Sequence, residues 1–273
     1  MAIVTSRGID PGTVHSTPRA VTRALLSHLA QQPYTRDLLQ RGASWDCACG
    51  SMAIIRELKA FDPPARSVVS SDVHPREGAT IAKPLDFTKL TTPPDNLAHR
   101  PRFIVTNPPF SLATQFMDVG LRWIDGVPGA ALALFLPLGA LGGQKRATTV
   151  YDTAPPSQLL ILSERVDIFP DGYVPASGKH QGGVIEYGWF LWYNDSYEGR
   201  LMTPAELAAH AVPPLAWVLP GVLGELDPEA VQEKKARATR NKQRAAALSR
   251  DRKNRGTVRA DTSTLNQPET DHG

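Results

Sequence analysis

The stretch from Phe103 to Ser111, FIVTNPPFS, combines residue types suited to binding and orienting a planar amine. The side-chain carbonyl of Asn107 and a backbone carbonyl held rigid by proline can both accept hydrogen bonds from one amino group. Two such acceptors orient the amine for attack on an electrophilic methyl group, and no nucleophilic side chain is needed. The ring of Phe110 offers a face on which an extruded base stacks. Because prolines also end strands, a purely structural interpretation of Pro108 and Pro109 stays open at this point.

Acidic residues follow the other predicted strands in the same half of the chain. Asp46 ends one predicted strand, Asp72 follows the next, and Asp86 lies with Phe87 in a predicted turn. In open α/β sheets ligands bind at the carboxyl ends of the strands, so we expect these residues and Asn107 at one edge. Asp72 is placed to accept from ribose hydroxyls, Asp86 to accept from an adenine amine, and Phe87 to pack on the adenine ring. Each acid alone is more often a cap or turn residue, but together they describe a nucleoside pocket.

The turn after the first strand, DCACGSM, does not suit a phosphate ligand. Gly50 lies in this turn, but the turn has neither the lysine of a P-loop nor the three spaced glycines of a dinucleotide fingerprint. A nucleoside without phosphates fits better. The turn therefore favours S-adenosylmethionine as the cofactor.

Strands and helices alternate along the chain around these residues. Ser16 or Thr17 is a candidate helix cap, with Pro18 at the first helical position, and apolar residues then recur at helical spacing. Near-continuous apolar strands separated by helices predict a parallel α/β sheet that is covered on both faces. The aromatic strand GVIEYGWFLWYND is expected to run antiparallel to it, with its aromatic rings in the core.

Size and cysteine content narrow the functional classes. The chain has 273 residues, 41% of them hydrophobic, which is enough for one substantial core. It has no apolar run of about 18 residues that would span a membrane, and no secretory signal is expected. Cys47 and Cys49 are its only cysteines, and two thiols at this spacing suit neither an unstrained disulfide nor a zinc site. We therefore expect a cytoplasmic protein without a metal site or a membrane segment.

The charge is distributed unevenly along the chain. From Lys234 to Arg259 there are eleven lysines and arginines and one acid, so this stretch carries +10 within a total of +3. Such a tail either attracts phosphates or forms a solvated helix, and both interpretations stay open. The predicted organisation is a catalytic domain over 1–200, an apolar proline-rich connection over 201–228, and a basic helix with a disordered tail over 229–273.

Together the motifs resemble those of the S-adenosylmethionine-dependent, adenine-specific DNA methyltransferases, which carry an Asp/Asn-Pro-Pro-Tyr/Phe motif. NPPF at Asn107–Phe110 matches this motif in full, HSTPRAVTRALL resembles the family's N-terminal Thr-Pro segment, and WDCACGS its DPACGSG loop. LPLGALGGQKR, ERVDIFPDG and EYGWFLWY are similar to segments of small, often phage-type, members. The resemblance covers roughly residues 12–195, and the Asn-Pro-Pro-Phe motif is its specific part.

The resemblance implies a Rossmann-like, mostly parallel seven-stranded methyltransferase sheet with helices on both faces and an antiparallel last strand. It also implies that Asn107 and the Pro108 carbonyl hold an adenine flipped out of the duplex, which stacks on Phe110, while Pro109 keeps the turn rigid. The loop departs from the family at Cys47, which replaces a proline, and at Met52, which replaces the last glycine. The cofactor contacts it implies are Thr17, Pro18, Asp46, Ala48, Gly50, Asp72, Asp86 and Phe87.

No separate, large target-recognition domain is evident, so base choice is expected to rest on loops at 139–156 and 169–183. The candidate contacts to DNA phosphates are Lys179, Lys234, Lys235, Arg237 and Arg240. The motif leaves other substrates open, namely the N2 amine of guanine in ribosomal RNA and the side chain of glutamine in protein. A catalytically inactive nucleic-acid-binding protein on the same fold is the alternative from a different class.

Overall fold

The chain consists of two compact units, Met1–Leu226 and Asp227–Gly273. The predicted phosphate contacts Lys179, Lys234 and Arg237 lie outside the residues that the structure describes. The structure, a computed structural model, describes residues 16–92, 94, 100–166, 168, 185–233, 235–236, 238–240, 242–243 and 246–247.

Seven strands of the first unit form one sheet, in the order β2-β1-β3-β4-β6-β5-β7. β6 runs antiparallel to both of its neighbours, β4 and β5, and the other described pairings are parallel. The prediction of a mostly parallel sheet with an antiparallel aromatic strand is confirmed. The strands are β1 (Ala43–Asp46), β2 (Ser67–Ser70), β3 (Phe103–Thr106), β4 (Ala131–Pro137), β5 (Gln158–Leu162), β6 (Tyr187–Tyr193) and β7 (Leu215–Val218).

Helices cover both faces of this sheet, as the apolar strands predict. Alternate strand residues point to opposite faces, so Phe103 and Val105 join one core while Ile104 joins the other. The first core includes residues of α1, α2, α5 and α6, and the second includes residues of α3. The helices are α1 (Arg19–Gln31), α2 (Ala53–Ala60), α3 (Ala113–Ile124), α4 (Gln144–Arg146, continued by a π-helical turn at Ala147–Tyr151), α5 (Pro204–Ala209) and α6 (Val222–Leu226).

The aromatic strand β6 is buried along its whole length. Trp189 Nε1 donates to the backbone carbonyl of Val21 at 3.1 Å, and Trp192 Nε1 donates to that of Ala154 at 3.0 Å. Because both indole donors are satisfied inside the protein, these rings are core residues. The prediction that they belong to the core is confirmed.

The segment 201–228 is more than the predicted connection. Thr203 and Glu206 form a capping box at the start of α5, and β7 pairs in parallel with β5 at the edge of the sheet. The prediction was wrong here because prolines lie on both sides of β7, and prolines are typical of an irregular connection. The first unit accordingly ends at Leu226.

The second unit begins at Asp227, whose Oδ1 accepts from the backbone N–H of Ala230 at 3.2 Å. The residues described between 228 and 247 are helical, and Lys235 and Arg240 are exposed among them. Within the described part of the chain, no helix combines the length and the apolar character that a membrane crossing requires.

Candidate active site

Backbone hydrogen bonds bring the turns after β1 and β2 together at the carboxyl edge of the sheet. The N–H of Ser71 donates to the carbonyl of Asp46 at 3.0 Å, and the N–H of Leu85 donates to the carbonyl of Asp72 at 2.9 Å. Asp86 follows Leu85 directly, so the three acids that the sequence places after strands lie in adjacent turns. The geometry agrees with the general position of ligand sites in open α/β sheets.

The carboxylate of Asp72 closes the turn that contains Gly50. Oδ2 accepts from the backbone N–H of Gly50 at 2.8 Å, and Oδ1 accepts from the backbone N–H of His74 at 2.8 Å. Each carboxylate oxygen has two lone pairs, so this arrangement leaves capacity to accept from hydroxyl groups. Asp72 is half-buried beside the turn, and its remaining lone pairs are acceptors of the kind that vicinal hydroxyls require.

Met52 adopts a left-handed backbone conformation at the end of the same turn, with φ of 65°. Gly50 also has a positive φ, of 43°. Non-glycine residues rarely adopt this region, and strain of this kind concentrates at ligand-binding turns. The side chain of Met52 packs against the core on the α1 and α2 side of the sheet. At Met52 the turn therefore has a backbone conformation that glycine adopts readily, although the residue there is a methionine.

The carboxyl group of Asp46 is buried, with 1% of its surface exposed. Burial raises its pKa to about 7, and the neighbouring charge of Asp72 acts in the same direction. The hydroxyl of Thr106 and the backbone N–H of Ala48, 3.4 Å from Oδ1, lower it in part. Asp46 is thus an internal group beneath the turn, and its charge changes near neutral pH.

Asp86 and Phe87 stabilise their own turn. Oδ1 of Asp86 accepts from the hydroxyl of Thr88 at 2.6 Å, and this bond, together with Lys89 at 2.9 Å from Oδ2, lowers the pKa of Asp86. The ring of Phe87 is 1% exposed and lies 5.3 Å from that of Trp45, centroid to centroid. A ring so enclosed offers no face to a ligand, and this corrects the expectation that Phe87 packs on an adenine.

The Thr-Pro segment meets the tip of β3. Asn107 Nδ2 donates to Thr17 Oγ1 at 3.1 Å, across 90 positions of sequence. The hydroxyls of Ser16 and Ser51 are hydrogen-bonded at 2.5 Å, which ties the same segment to the turn after β1. The two cap candidates, Ser16 and Thr17, thus bond to other elements. Helix α1 starts at Arg19 without a side-chain cap. The expected cap is therefore wrong.

Phe110 lies at the surface on top of a stack of aromatic rings. Its side chain is 37% exposed, and its ring centroid lies 5.8 Å from that of Tyr187. Tyr187 in turn stacks on Phe135 at 5.4 Å. Pro108 is buried and Pro109 is exposed, so the motif crosses from the core to the surface within four residues. Phe110 is thereby presented as an apolar platform with a rigid base.

Sequence reasoning missed three contributors to this edge: Ser16, Ser51 and Tyr187. The sequence analysis named Ser16 as a candidate cap and included Ser51 in the loop motif, but their pairing gave no signal, because a serine pair 35 positions apart has no recognisable spacing. Tyr187 did have a signal, because it begins the aromatic strand. In the structure it pairs with Pro137 at the carboxyl end of β4. That register places it at the ligand edge of the sheet.

The two cysteines are buried, and burial raises the pKa of both thiols, that of Cys49 to about 12. A thiol in this state is a poor nucleophile. In the described ranges no group of three or more His, Cys, Asp or Glu side chains is arranged to hold a metal ion.

No family model matches the chain, and no curated protein matches it. A Listeria monocytogenes protein assigned as a class I S-adenosylmethionine-dependent methyltransferase is similar in structure, with 14% identity and a TM-score of 0.51 over 83% of this chain and 72% of that one. A type I restriction-modification methyltransferase subunit of Streptococcus thermophilus has 13% identity and a TM-score of 0.45 over 74% of this chain and 54% of that one. A protein of the same species named as a hemolysin has 12% identity and a TM-score of 0.40 over 85% and 79%. The similarity to the Listeria protein shows that this chain has the fold of a class I methyltransferase.

Proposed function

We propose that the protein transfers a methyl group from S-adenosylmethionine to the exocyclic N6 amine of adenine in DNA. The observation that carries the proposal is the hydrogen bond by which Thr17 holds the side-chain amide of Asn107 at the tip of β3. The same carboxyl edge of the sheet carries Asp72, which closes the turn at Gly50, and the tip itself carries the exposed ring of Phe110. An acceptor for an amine, a ribose-type acceptor and a stacking platform are the three recognition elements that this reaction requires.

The chain's own residues fit the cofactor at the turn after β1. Asp72 would accept from the ribose hydroxyls, the backbone from Ala48 to Gly50 shapes the turn, and Asp86 would lie on the adenine side. Thr17 and Pro18 close the site from the start of α1. Bound S-adenosylmethionine supplies an electrophilic methyl group. Asp46 stays beneath the turn, where its burial and its bond to Ala48 fix the loop rather than the ligand.

The target base is held by the tip of β3. Oδ1 of Asn107 and the carbonyl of Pro108 accept the two hydrogens of the amine, and the base stacks on Phe110. Held in this way, the amine nitrogen would face the methyl group that bound S-adenosylmethionine would supply, and the surplus proton of the amine would leave to solvent. Pro109 supports this by keeping the tip rigid, because its φ is fixed.

Contacts to DNA phosphates come from the basic residues. Lys235 and Arg240 are exposed on helical backbone in the second unit, and the sequence adds Lys179, Lys234 and Arg237. Contacts of this kind supply affinity without sequence preference. The substrate in this proposal is duplex DNA with the adenine flipped out, and neither a metal nor a membrane takes part.

The test is transfer of a labelled methyl group to unmethylated DNA by the wild-type chain and by Asn107→Ala. Loss of one oriented acceptor is expected to reduce turnover by about 100-fold, since positioning supplies most of the rate enhancement. The control is Arg122→Ala, because Arg122 is exposed on α3 and its removal leaves the site intact. Asn194→Ala would not serve, because Asn194 is buried in the core. Wild-type turnover of zero, or full turnover by Asn107→Ala, would contradict the proposal.

The same assay separates the alternatives. Transfer into ribosomal RNA or into protein, but not into DNA, would move the reaction to guanine N2 or to glutamine. Calorimetric titration with S-adenosylmethionine distinguishes an enzyme from an inactive binding protein, because the latter would bind DNA without binding the cofactor.

A further inference from the structure

We propose that Thr17 is a positioning residue for Asn107. Its hydroxyl orients the side-chain amide so that the amide oxygen, and not the amide nitrogen, faces the amine that is methylated. The inference rests on the function proposed above. It assigns Thr17 a role different from the cofactor contact that the sequence resemblance implies.

The two prolines fix the backbone of the tip but not the amide. Asn107 precedes Pro108, and a residue before proline is restricted to extended backbone conformations. The last torsion of an asparagine side chain is broad and roughly twofold, so both orientations of the amide fit the same volume. A partner outside the tip is needed to select one of them.

Thr17 holds one of these orientations in the structure. Its side chain is 5% exposed, and its Oγ1 accepts from Nδ2 of Asn107 at 3.1 Å. The nitrogen and the oxygen of an amide diverge from one carbon. A nitrogen bonded to Thr17 therefore directs the oxygen to the opposite side.

Thr17 is itself held from two directions. The adjacent Ser16 bonds to Ser51 in the turn after β1, and the adjacent helix is tied to α2 by Arg19, whose Nε lies 3.0 Å from Oε1 of Glu57. Glu57 is 5% exposed and Arg19 is exposed, so this ion pair joins a buried carboxylate to a guanidinium at the surface. The segment that carries the Thr17 hydroxyl is therefore fixed with respect to both neighbouring elements.

The orientation decides whether the amine finds an acceptor. With the oxygen outward, the amide accepts an N–H of the target amine. With the nitrogen outward, two donors face each other and the hydrogen bond is lost. A change at Thr17 is then expected to alter turnover, whereas loss of a cofactor contact would alter the KM for S-adenosylmethionine.

The experiment compares Thr17→Val, which removes the hydroxyl at nearly constant shape, with Thr17→Ser, which keeps it. Thr22→Val is the matched control: Thr22 is a fully buried threonine on α1, and its Oγ1 has no hydrogen-bond partner within the described residues. All three variants are made in the full-length chain. The first readout is kcat for DNA methylation and the KM for S-adenosylmethionine. The second is the NMR signal of the Asn107 side-chain amide in ¹⁵N-labelled protein, assigned by its absence in Asn107→Asp.

Thr17→Val is expected to lower kcat about five- to tenfold with less than about a twofold change in the cofactor KM, as fits the loss of one hydrogen bond. Thr17→Ser and Thr22→Val are expected to stay within about twofold of the wild type. The Asn107 amide signal is expected to shift and its protons to exchange faster with water in Thr17→Val alone.

A raised cofactor KM with unchanged kcat in Thr17→Val would overturn the inference in favour of a cofactor contact. An Asn107 amide signal that does not respond to Thr17→Val would overturn it as well. If the wild-type chain methylates no DNA, the proposed function fails, and the amide signal alone decides whether Thr17 orients Asn107.

Discussion

At the scale of single residues, the site depends on polar side chains whose partners come from distant positions. Asn107 bonds to Thr17, Asp72 bonds to Gly50, and Asp46 is enclosed beneath them. Each of these bonds joins segments that meet only in the folded chain. The charge of Asp46 is the property of this site that is most sensitive to solution conditions, because burial penalises the ionised form.

The raised pKa of Asp46 predicts a specific pH dependence of stability. The group has a pKa of about 7 in the folded state, against an ordinary value of 3.8 for an aspartate. Its protonated form stabilises the fold fully below the lower value, and this contribution is lost as the pH rises through about 7. Relative to Asp46→Asn, the wild type should lose on the order of 4 kcal/mol of unfolding free energy between those two pKa values.

Urea unfolding of both proteins between about pH 5 and pH 8.5 measures the part of this loss that falls above pH 5, about 2.7 kcal/mol, and the difference should reach a plateau above about pH 8. Asp86→Asn is the control, because the pKa of Asp86 is lowered by Thr88 and its contribution is lost only in acid. A difference between wild type and Asp46→Asn that stays constant over the range would show that Asp46 is ionised throughout.

At the scale of elements, the carboxyl edge is built by short turns whose backbone geometry matters more than their side chains. The turn after β1 passes through two positive φ values within three residues, at Gly50 and Met52, and then enters α2 directly. Gly50 has no Cβ to strain, whereas Met52 has one. The turn therefore contains a local strain that packing of the methionine side chain offsets.

This strain can be measured by comparing glycine with alanine at position 52. Both substitutions remove the methionine side chain, so the difference between them reports the backbone. Met52→Gly should be more stable than Met52→Ala by about 1 kcal/mol, because alanine retains the Cβ that disfavours a left-handed conformation.

Arg56, an exposed position within α2, provides the matched control. There Arg56→Ala should be more stable than Arg56→Gly by about 1 kcal/mol, since glycine is unfavourable inside a helix. Chemical denaturation of the four variants tests the opposite signs. The same sign at both positions would mean that the backbone at Met52 is not strained.

At the scale of the whole molecule, the fold and the basic charge belong to different units. All seven strands lie within Met1–Leu226, while the basic stretch begins at Lys234. The remainder of the chain carries a net charge of −7, because the basic stretch contributes +10 to a total of +3. Attraction to a polyanion is therefore expected to depend on the second unit.

Truncation after Leu226 tests this division. The shortened chain should retain its sheet, which circular dichroism checks, and should bind DNA more weakly. The dependence of log K on log salt should become shallower, by about one for each phosphate contact that is lost. Lys235→Gln with Arg240→Gln in the full-length chain should give a smaller change in the same direction. An unchanged salt dependence after truncation would identify the basic stretch as a solvated helix.

The sequence by itself determined the layered α/β fold, the antiparallel aromatic strand and the identity of the acids and the amide at the carboxyl edge. These follow from local rules: strand residues alternate between two apolar faces, and parallel strands present their carboxyl ends together. The same rules failed for β7, which lies between prolines, and for the cap of α1.

Only the tertiary structure decided which polar groups meet and which rings stay exposed. The bond between Thr17 and Asn107 spans 90 positions, and no local pattern encodes it. Phe87 and Phe110 look alike in sequence, yet the first is enclosed by Trp45 and Phe116 while the second lies open on Tyr187. The physical reason is that exposure and hydrogen bonding depend on packing between distant segments, whereas periodicity reports only the two faces of each element.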